Sequence, residues 1–328
     1  MTDPVALAAT NLLAVDFSAA GSLAPLLVAD AFTGIFDWFL TAVVGGVFSW
    51  LAGVTGLDFL GYPYMQRAYL SVLCIGVVGP LVGSFLVYRD LSMVGDTLAH
   101  TAFAGVALAL FLDATLGLAV PPLLGALVVA VVAALVVQAL IEYTDARSDA
   151  ALAMVLTGGF ALGSVLISLT GGGISVGINQ YLFGSLATVS RADVGLLVSM
   201  GLVVVGSVAV AYRPLVYVTF DETAARASRL HVRAVNTLLS ILTAFVVVSA
   251  MRIMGVILVA ALLVVPVVTA SRLGRSFKQS LLYGVLAGEL AGVAGVTVAY
   301  LYGLAAGGSI VLVALAGFVA VAAGHRLT

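Results

Sequence analysis

The sequence predicts an all-α polytopic membrane protein, a bundle of about 8–10 transmembrane helices. Three observations carry that reading. Of 328 residues, 63% are hydrophobic and only 9% charged, with a mean hydropathy of +1.24. A soluble domain is about a quarter charged, so this chain cannot present water with an ordinary surface. Apolar runs of about 20 residues recur along most of its length, each long enough to cross hydrocarbon as a helix. The charges are confined almost entirely to the gaps between those runs.

Before Arg67 the chain has no Lys or Arg, so no secretory signal peptide with a basic start is evident. This head, 1–60, is rich in Ala, Leu and Val and carries scattered Asp3, Asp16, Asp30 and Asp37. It reads as a mobile stretch followed by one apolar helix over 32–54, spanning or lying on the membrane surface. The remainder, 61–328, reads as one membrane domain. Its spans fall near 69–88, 92–112, 118–141, 150–170, 194–212, 236–251, 253–271, 281–302 and 309–323. The sixth and seventh are separated only at Arg252. Glycines recur at four-residue spacing, as at Gly284, Gly288 and Gly292, which lets helix backbones approach closely.

The loops give an orientation. If 142–149 faces the cytoplasm, so do Arg89, Arg147, Arg213, Arg226, Arg229, Arg233, Arg272, Arg275, Lys278 and Arg326. Only Arg67, Arg191 and Arg252 face out, a clear positive-inside bias that places the C-terminus in the cytoplasm and 170–180 outside. No basic patch suggests nucleic acid. The lone Cys74 excludes an intrachain disulfide and reads as packing.

Within the second span, "MVGDTLAHTAFAG" places Asp96 and His100 four residues apart, on one helical face, with His100 near mid-span. A centrally placed Asp costs about 2.5–3.5 kcal/mol on insertion scales, so the pair calls for a reason. It could be a hydrogen-bonded brace between helices. A carboxylate beside an imidazole is also a ready site for a divalent transition metal. Two ligands do not make a cage, but two copies of the chain on a two-fold axis would supply four. Glu289, in "GVLAGELAGVAG", is a second intramembrane acid. It reads as a protonated, hydrogen-bonded glutamic acid between glycine-rich faces, with a metal or proton role as the alternative. His231 and His325 fall in loops and read as solvated.

Enzyme motifs are missing from the sequence. It has no HExxH, no GxSxG and no Gly-Lys-Ser/Thr after its glycine-rich "TGGGISVG", so it binds no ATP by a Walker loop. "MVGD" has Met93 where intramembrane aspartyl proteases require glycine. The longest charged loop, "VTFDETAARASRLHVRAVN", has capping-box spacing at Thr219 and Glu222 and an i, i+4 pair at Glu222 and Arg226. Arg226, Arg229 and Arg233 would share a face. It is either a solvated loop or a short amphipathic helix that docks a partner.

Five blocks together resemble one family, the permease subunits of ABC importers for zinc, manganese and related metals. They are "YPYMQRAYL", "GPLVGSFLVYRDLSMVGDTLAHTAFAGVALAL", "NQYLFGSLATVSRADV", "MRIMGVILVAALLVVPVVTASR" and "GGSIVLVALAGF". They occur in the family's order over roughly 62–324. "GDTLAH" is closer to the zinc branch than to the manganese branch. The resemblance implies a type II importer bundle in the plasma membrane: a permease homodimer in lipid, two separate ATPase subunits that hydrolyse the ATP, and an extracytoplasmic metal-binding protein. It implies no permanent cofactor and a transported divalent metal, zinc first, with manganese or iron as alternatives. Asp96 and His100 would contact the metal, with Gly95, Gly105 and Pro266 in structural or gating positions. The 221–232 loop, with Asp221, Glu222, Arg226 and Arg229, would be the coupling helix seated in the ATPase. Three positions depart from the family pattern: Arg229 stands where glycine is usual, His231 where proline is common, and Thr101 where alanine is usual. A secondary metal–proton antiporter using Glu289 or Asp96 is the competing class, but no internal repeat supports it.

Overall fold

The computed structural model describes residues 39–143, 147–170, 181–182, 184 and 189–327. Among these the chain is helical throughout, without a strand. It divides into two compact units, Met1–Pro63 and Tyr64–Thr328.

In the first unit, a wide helical turn over Phe39–Val44 leads into α1 (Gly45–Thr55), and a tight turn follows at Asp58–Gly61. Helix α1 buries none of its residues, and Trp50 and Val54 are about two-thirds exposed. The earlier part of the head, and the start of the helix expected over 32–54, lie outside the described residues.

The second unit runs α2 (Pro63–Val87), α3 (Met93–Leu116), α4 (Pro122–Tyr143), α5 (Ser148–Leu169), α6 (Arg191–Phe220), α7 (Glu222–Ala227), α8 (Val232–Met254), α9 (Val256–Leu273), α10 (Phe277–Tyr302) and α11 (Ala306–Leu327). Eight of these are long and apolar enough to cross a membrane, and α9 adds a shorter apolar helix. Of the eight long helices α2, α3 and α8 are the most buried, whereas α5 and α11 present most of their surface outward. Helix α3 packs on α4, α5, α8 and α9, while α9, α10 and α11 pack on one another.

Small residues set these distances. A Cβ on Gly83 of α2 would fall 1.9 Å from the Leu263 carbonyl oxygen of α9, and one on Gly105 of α3 would fall 2.4 Å from the Gly125 carbonyl oxygen of α4. Both crossings are backbone on backbone, with no side chain that could yield.

Two spans differ from expectation. The α8–α9 break lies at Gly255, not at Arg252. Gly255 has φ +83°, a conformation that costs glycine little and an arginine a good deal. Helix α6 does not stop at Tyr212 but continues through Arg213 and Pro214 to Phe220. Its 30 residues span about 45 Å, well beyond the roughly 30 Å hydrocarbon core, so the last turns have no need to be apolar.

Candidate metal site

Helix α3 begins at Met93, so Asp96 stands in its first turn and not deep in a span. Mid-span placement of His100 is corrected accordingly: Asp96 lies about 4–5 Å and His100 about 10 Å along the helix axis from its start. The free N–H groups of a helix start favour a carboxylate there, which offsets part of the cost of Asp96. Ser92, just before it, makes no capping bond.

The Asp96 Oδ1 and His100 Nε2 atoms are 3.5 Å apart, and the two side chains are 43% and 26% exposed in the single chain. His100 Nδ1 is buried without a hydrogen-bond partner. The imidazole is instead held edge-on by Phe160 of α5 at 5.6 Å, and Phe160 stacks on Phe103. The pair therefore does not brace two helices. Both groups sit on α3, face each other, and keep part of their surface open. Metal-bound imidazoles usually donate their second N–H to an acceptor, and His100 has none among the described residues.

The neighbours of the pair fix α3. Thr101 fits because Gly159 of α5 stands opposite: a Cβ there would approach Thr101 Cγ2 to 2.5 Å. Its hydroxyl is spent on the Thr97 and Leu98 carbonyls at 3.1 and 3.0 Å. A Cβ on Gly95 would meet Leu263 Cδ1 at 2.7 Å. Among the described residues no three His, Cys, Asp or Glu side chains converge. Asp96 and His100 thus remain a half-shell, and Glu289 does not join them.

Glu289 lies on α10 and faces Gly76 of α2. Its carboxyl oxygens are buried with no hydrogen-bond partner among the described residues, and a Cβ on Gly76 would stand 2.9 Å from Oε1. Glycine-rich faces surround it as expected, but the expected hydrogen bond is missing. The Gly76 carbonyl is short of a donor too, because Pro80 one turn on has no N–H to give. Pro266 sits buried inside α9 and removes the N–H that would serve the Leu262 carbonyl. Gly79 of α2 passes close to that carbonyl: its Cβ would lie 3.5 Å from the oxygen.

The charged loop forms a helix, but with other ends than its sequence suggests. Asp221, not Thr219, is the N-cap of α7: its Oδ1 accepts from the Ala224 N–H at 2.8 Å. Thr219 is still inside α6 and bonds the Leu215 carbonyl. The Arg226 Nε donates to Glu222 Oε1 at 3.1 Å, as the spacing requires. Helix α7 ends at Ala227, so Arg226, Arg229 and Arg233 share no helical face. Arg229 has φ +61°, the left-handed conformation natural to the glycine usual at this place in the family. His231 lies in the turn before α8, whereas His325 falls inside α11 and not in a loop.

Sequence reading missed what seats α7. Val218, Ala225 and Val232 form a small buried cluster, with Leu230 and Val235 against it. Phe220, one residue before the cap, packs its ring on Tyr88 from the end of α2 and on Phe277 from the start of α10, at 5.9 and 5.5 Å. Arg89 donates to Asn236 Oδ1 at 2.8 Å. Burial lowers the pKa of its guanidinium from the ordinary value, and the charge of Glu222 partly restores it. These partners are far apart in sequence, and no spacing rule connects them.

Comparisons with known proteins agree on the class. Residues 61–324 match the model of the ABC 3 transport family. A "Manganese transport system membrane protein MntC" of Halalkalibacterium halodurans is 32% identical over 256 residues, 78% of this chain and 85% of that protein. A "Manganese import system permease protein ScaB" of Streptococcus gordonii is 30% identical over 251 residues, 76% and 87% of the two chains. The solved structure "PsaBC from Streptococcus pneumoniae in complex with Fab" superposes with a TM-score of 0.72 at 28% identity, covering 80% of this chain and 92% of that one. The MntC and ScaB relatives are named for manganese, so the zinc-branch expectation finds no support in them.

Proposed function

The chain belongs to the ABC 3 transport family and is the permease subunit of a metal importer; from that premise we propose that it passes a divalent first-row metal, manganese before zinc, between Asp96 and His100 of two copies. The observation that carries this reading is the half-shell on α3. Two unlike ligands face each other at 3.5 Å, stay partly exposed, and are tied to no other helix by a hydrogen bond among the described residues. A two-fold axis would complete them as two carboxylates and two imidazoles. Carboxylate oxygens suit manganese and imidazole suits zinc, so the donor set admits both. The names of the relatives favour manganese. The "GDTLAH" motif keeps zinc as the second reading.

The partners follow from the same premise. ATP is hydrolysed on two separate subunits, each docking on one copy's α7 at the cytoplasmic face, where the C-terminus also lies. An extracytoplasmic binding protein delivers the metal to the opposite face. Asp221, Glu222, Arg226 and Arg229 present the docking surface. A push on α7 reaches the ends of α2 and α10 through Phe220, while Gly95 and Gly105 of α3 and Pro266 of α9 hold the gating positions. Residues 1–60 form a separate unit dispensable for transport.

The test is ATP-driven uptake of radioactive manganese and zinc by the complex in vesicles. Saturable manganese uptake, lost in both Asp96→Asn and His100→Ala, is the expected result. Uptake of zinc alone would make zinc the cargo, and normal uptake in both variants would remove Asp96 and His100 from the path.

A further inference from the structure

One groove in the second unit takes no part in the metal path. It lies between α9, α10 and α11 and encloses about 430 Å³. Pro266, Thr269 and Ala314 form a buried floor, and Leu273, Tyr283 and Leu290 form exposed lips. The floor is dry: the Thr269 hydroxyl is already bonded to the Val265 carbonyl at 2.8 Å. An apolar trough of this kind on a membrane helix bundle suits a hydrocarbon chain.

Its Leu273–Tyr283 end is cationic. Arg272, Arg275 and Lys278 stand there, all exposed. The Arg272 guanidinium lies 5.1 Å over the ring of Phe318, next to Gly317 of the groove wall, and so sits at the groove's rim. Over 256–328 the only acidic residue is Glu289, whose carboxyl is buried beside Gly76. A positive-inside bias explains why cations occur at this end. It does not explain why an apolar trough between the same helices ends at them. Basic pockets between transmembrane helices are where anionic lipid head groups bind.

We propose that this groove holds one anionic phospholipid, its acyl chain along α10 and α11 and its phosphate at Arg272, Arg275 and Lys278. A second copy of the chain is the weaker occupant, because the two-fold contact calls for the α3 face, and neither α10 nor α11 packs extensively on α3.

The experiment uses the full-length chain in neutral detergent, titrated with phosphatidylglycerol or phosphatidylcholine, with bound lipid read by native mass spectrometry. Wild type is expected to hold one phosphatidylglycerol with roughly tenfold preference over phosphatidylcholine, weakening with salt. Replacing Arg272, Arg275 and Lys278 together by glutamine should abolish the preference. Ala287→Phe, which fills the groove and leaves the cations alone, should abolish tight retention of either lipid and covers the case in which the triple variant misfolds. No preference in wild type, or a preference that survives Ala287→Phe, would overturn the proposal. So would lipid binding seen only after removal of 1–60, or a change of oligomeric state in Ala287→Phe, since the head or a second copy would then own the groove.

Discussion

Asp96 is tolerable because of where it stands. In the first turn of α3 the positive end of the helix dipole favours its charge, and His100 one turn on gives it a partner. Both residues were legible in the sequence, since i, i+4 spacing is geometry that no tertiary contact can undo. Phe160, which holds the imidazole, was not legible, because only the folded α3–α5 contact brings it there. Glu289 has no such role in this account. Glu289→Gln keeps the shape and removes no hydrogen bond seen among the described residues, so uptake should remain within about twofold of wild type and stability should not fall. A severe transport loss with intact folding would revive a proton-coupled reading. Arg229 is the converse case, a side chain in a glycine conformation. Arg229→Gly should relieve about 1 kcal/mol of backbone strain and raise the thermal midpoint slightly; a clear fall would mean that the arginine side chain holds the turn.

At the scale of elements, hydrophobic runs located the helices well and their ends poorly. Thr219 and Glu222 have capping-box spacing, yet α6 runs on through Thr219, because a 30-residue helix that has left the membrane can continue over polar residues. The cap falls to Asp221 at the first real bend. Asp221→Ala should loosen α7 by about 1 kcal/mol, visible as faster amide exchange over 222–227 with the rest of the bundle unchanged. Reversing the pair with Glu222→Lys and Arg226→Glu would retain an i, i+4 contact but set a lysine near Arg89. That double variant should insert normally and lose ATPase stimulation by the metal-loaded binding protein; equal stimulation would leave α7 without a coupling role. Crossings are less forgiving. Gly83→Ala places a Cβ inside the Leu263 carbonyl, so α2 and α9 must part, and the expected result is little or no folded protein in detergent.

For the whole molecule, composition alone gave the class, and the order of five short blocks gave the family, because five matches in one order are far more specific than any one alone. Neither gives the metal. Asp and His are ligands that both manganese and zinc accept, and the relatives' names, not the motif, turn the reading toward manganese. The aromatic seat of α7 was hidden for a different reason: Tyr88, Phe220 and Phe277 come from three helices that only the packed bundle brings together. The central claim is that one metal is shared by two copies through Asp96 and His100. Its most direct measurement is the metal content of the purified permease–ATPase complex after equilibration with manganese and removal of free ion. The expected result is about one ion for every two permease chains in wild type and none in His100→Ala. One ion per chain, or a content unchanged by His100→Ala, would contradict it.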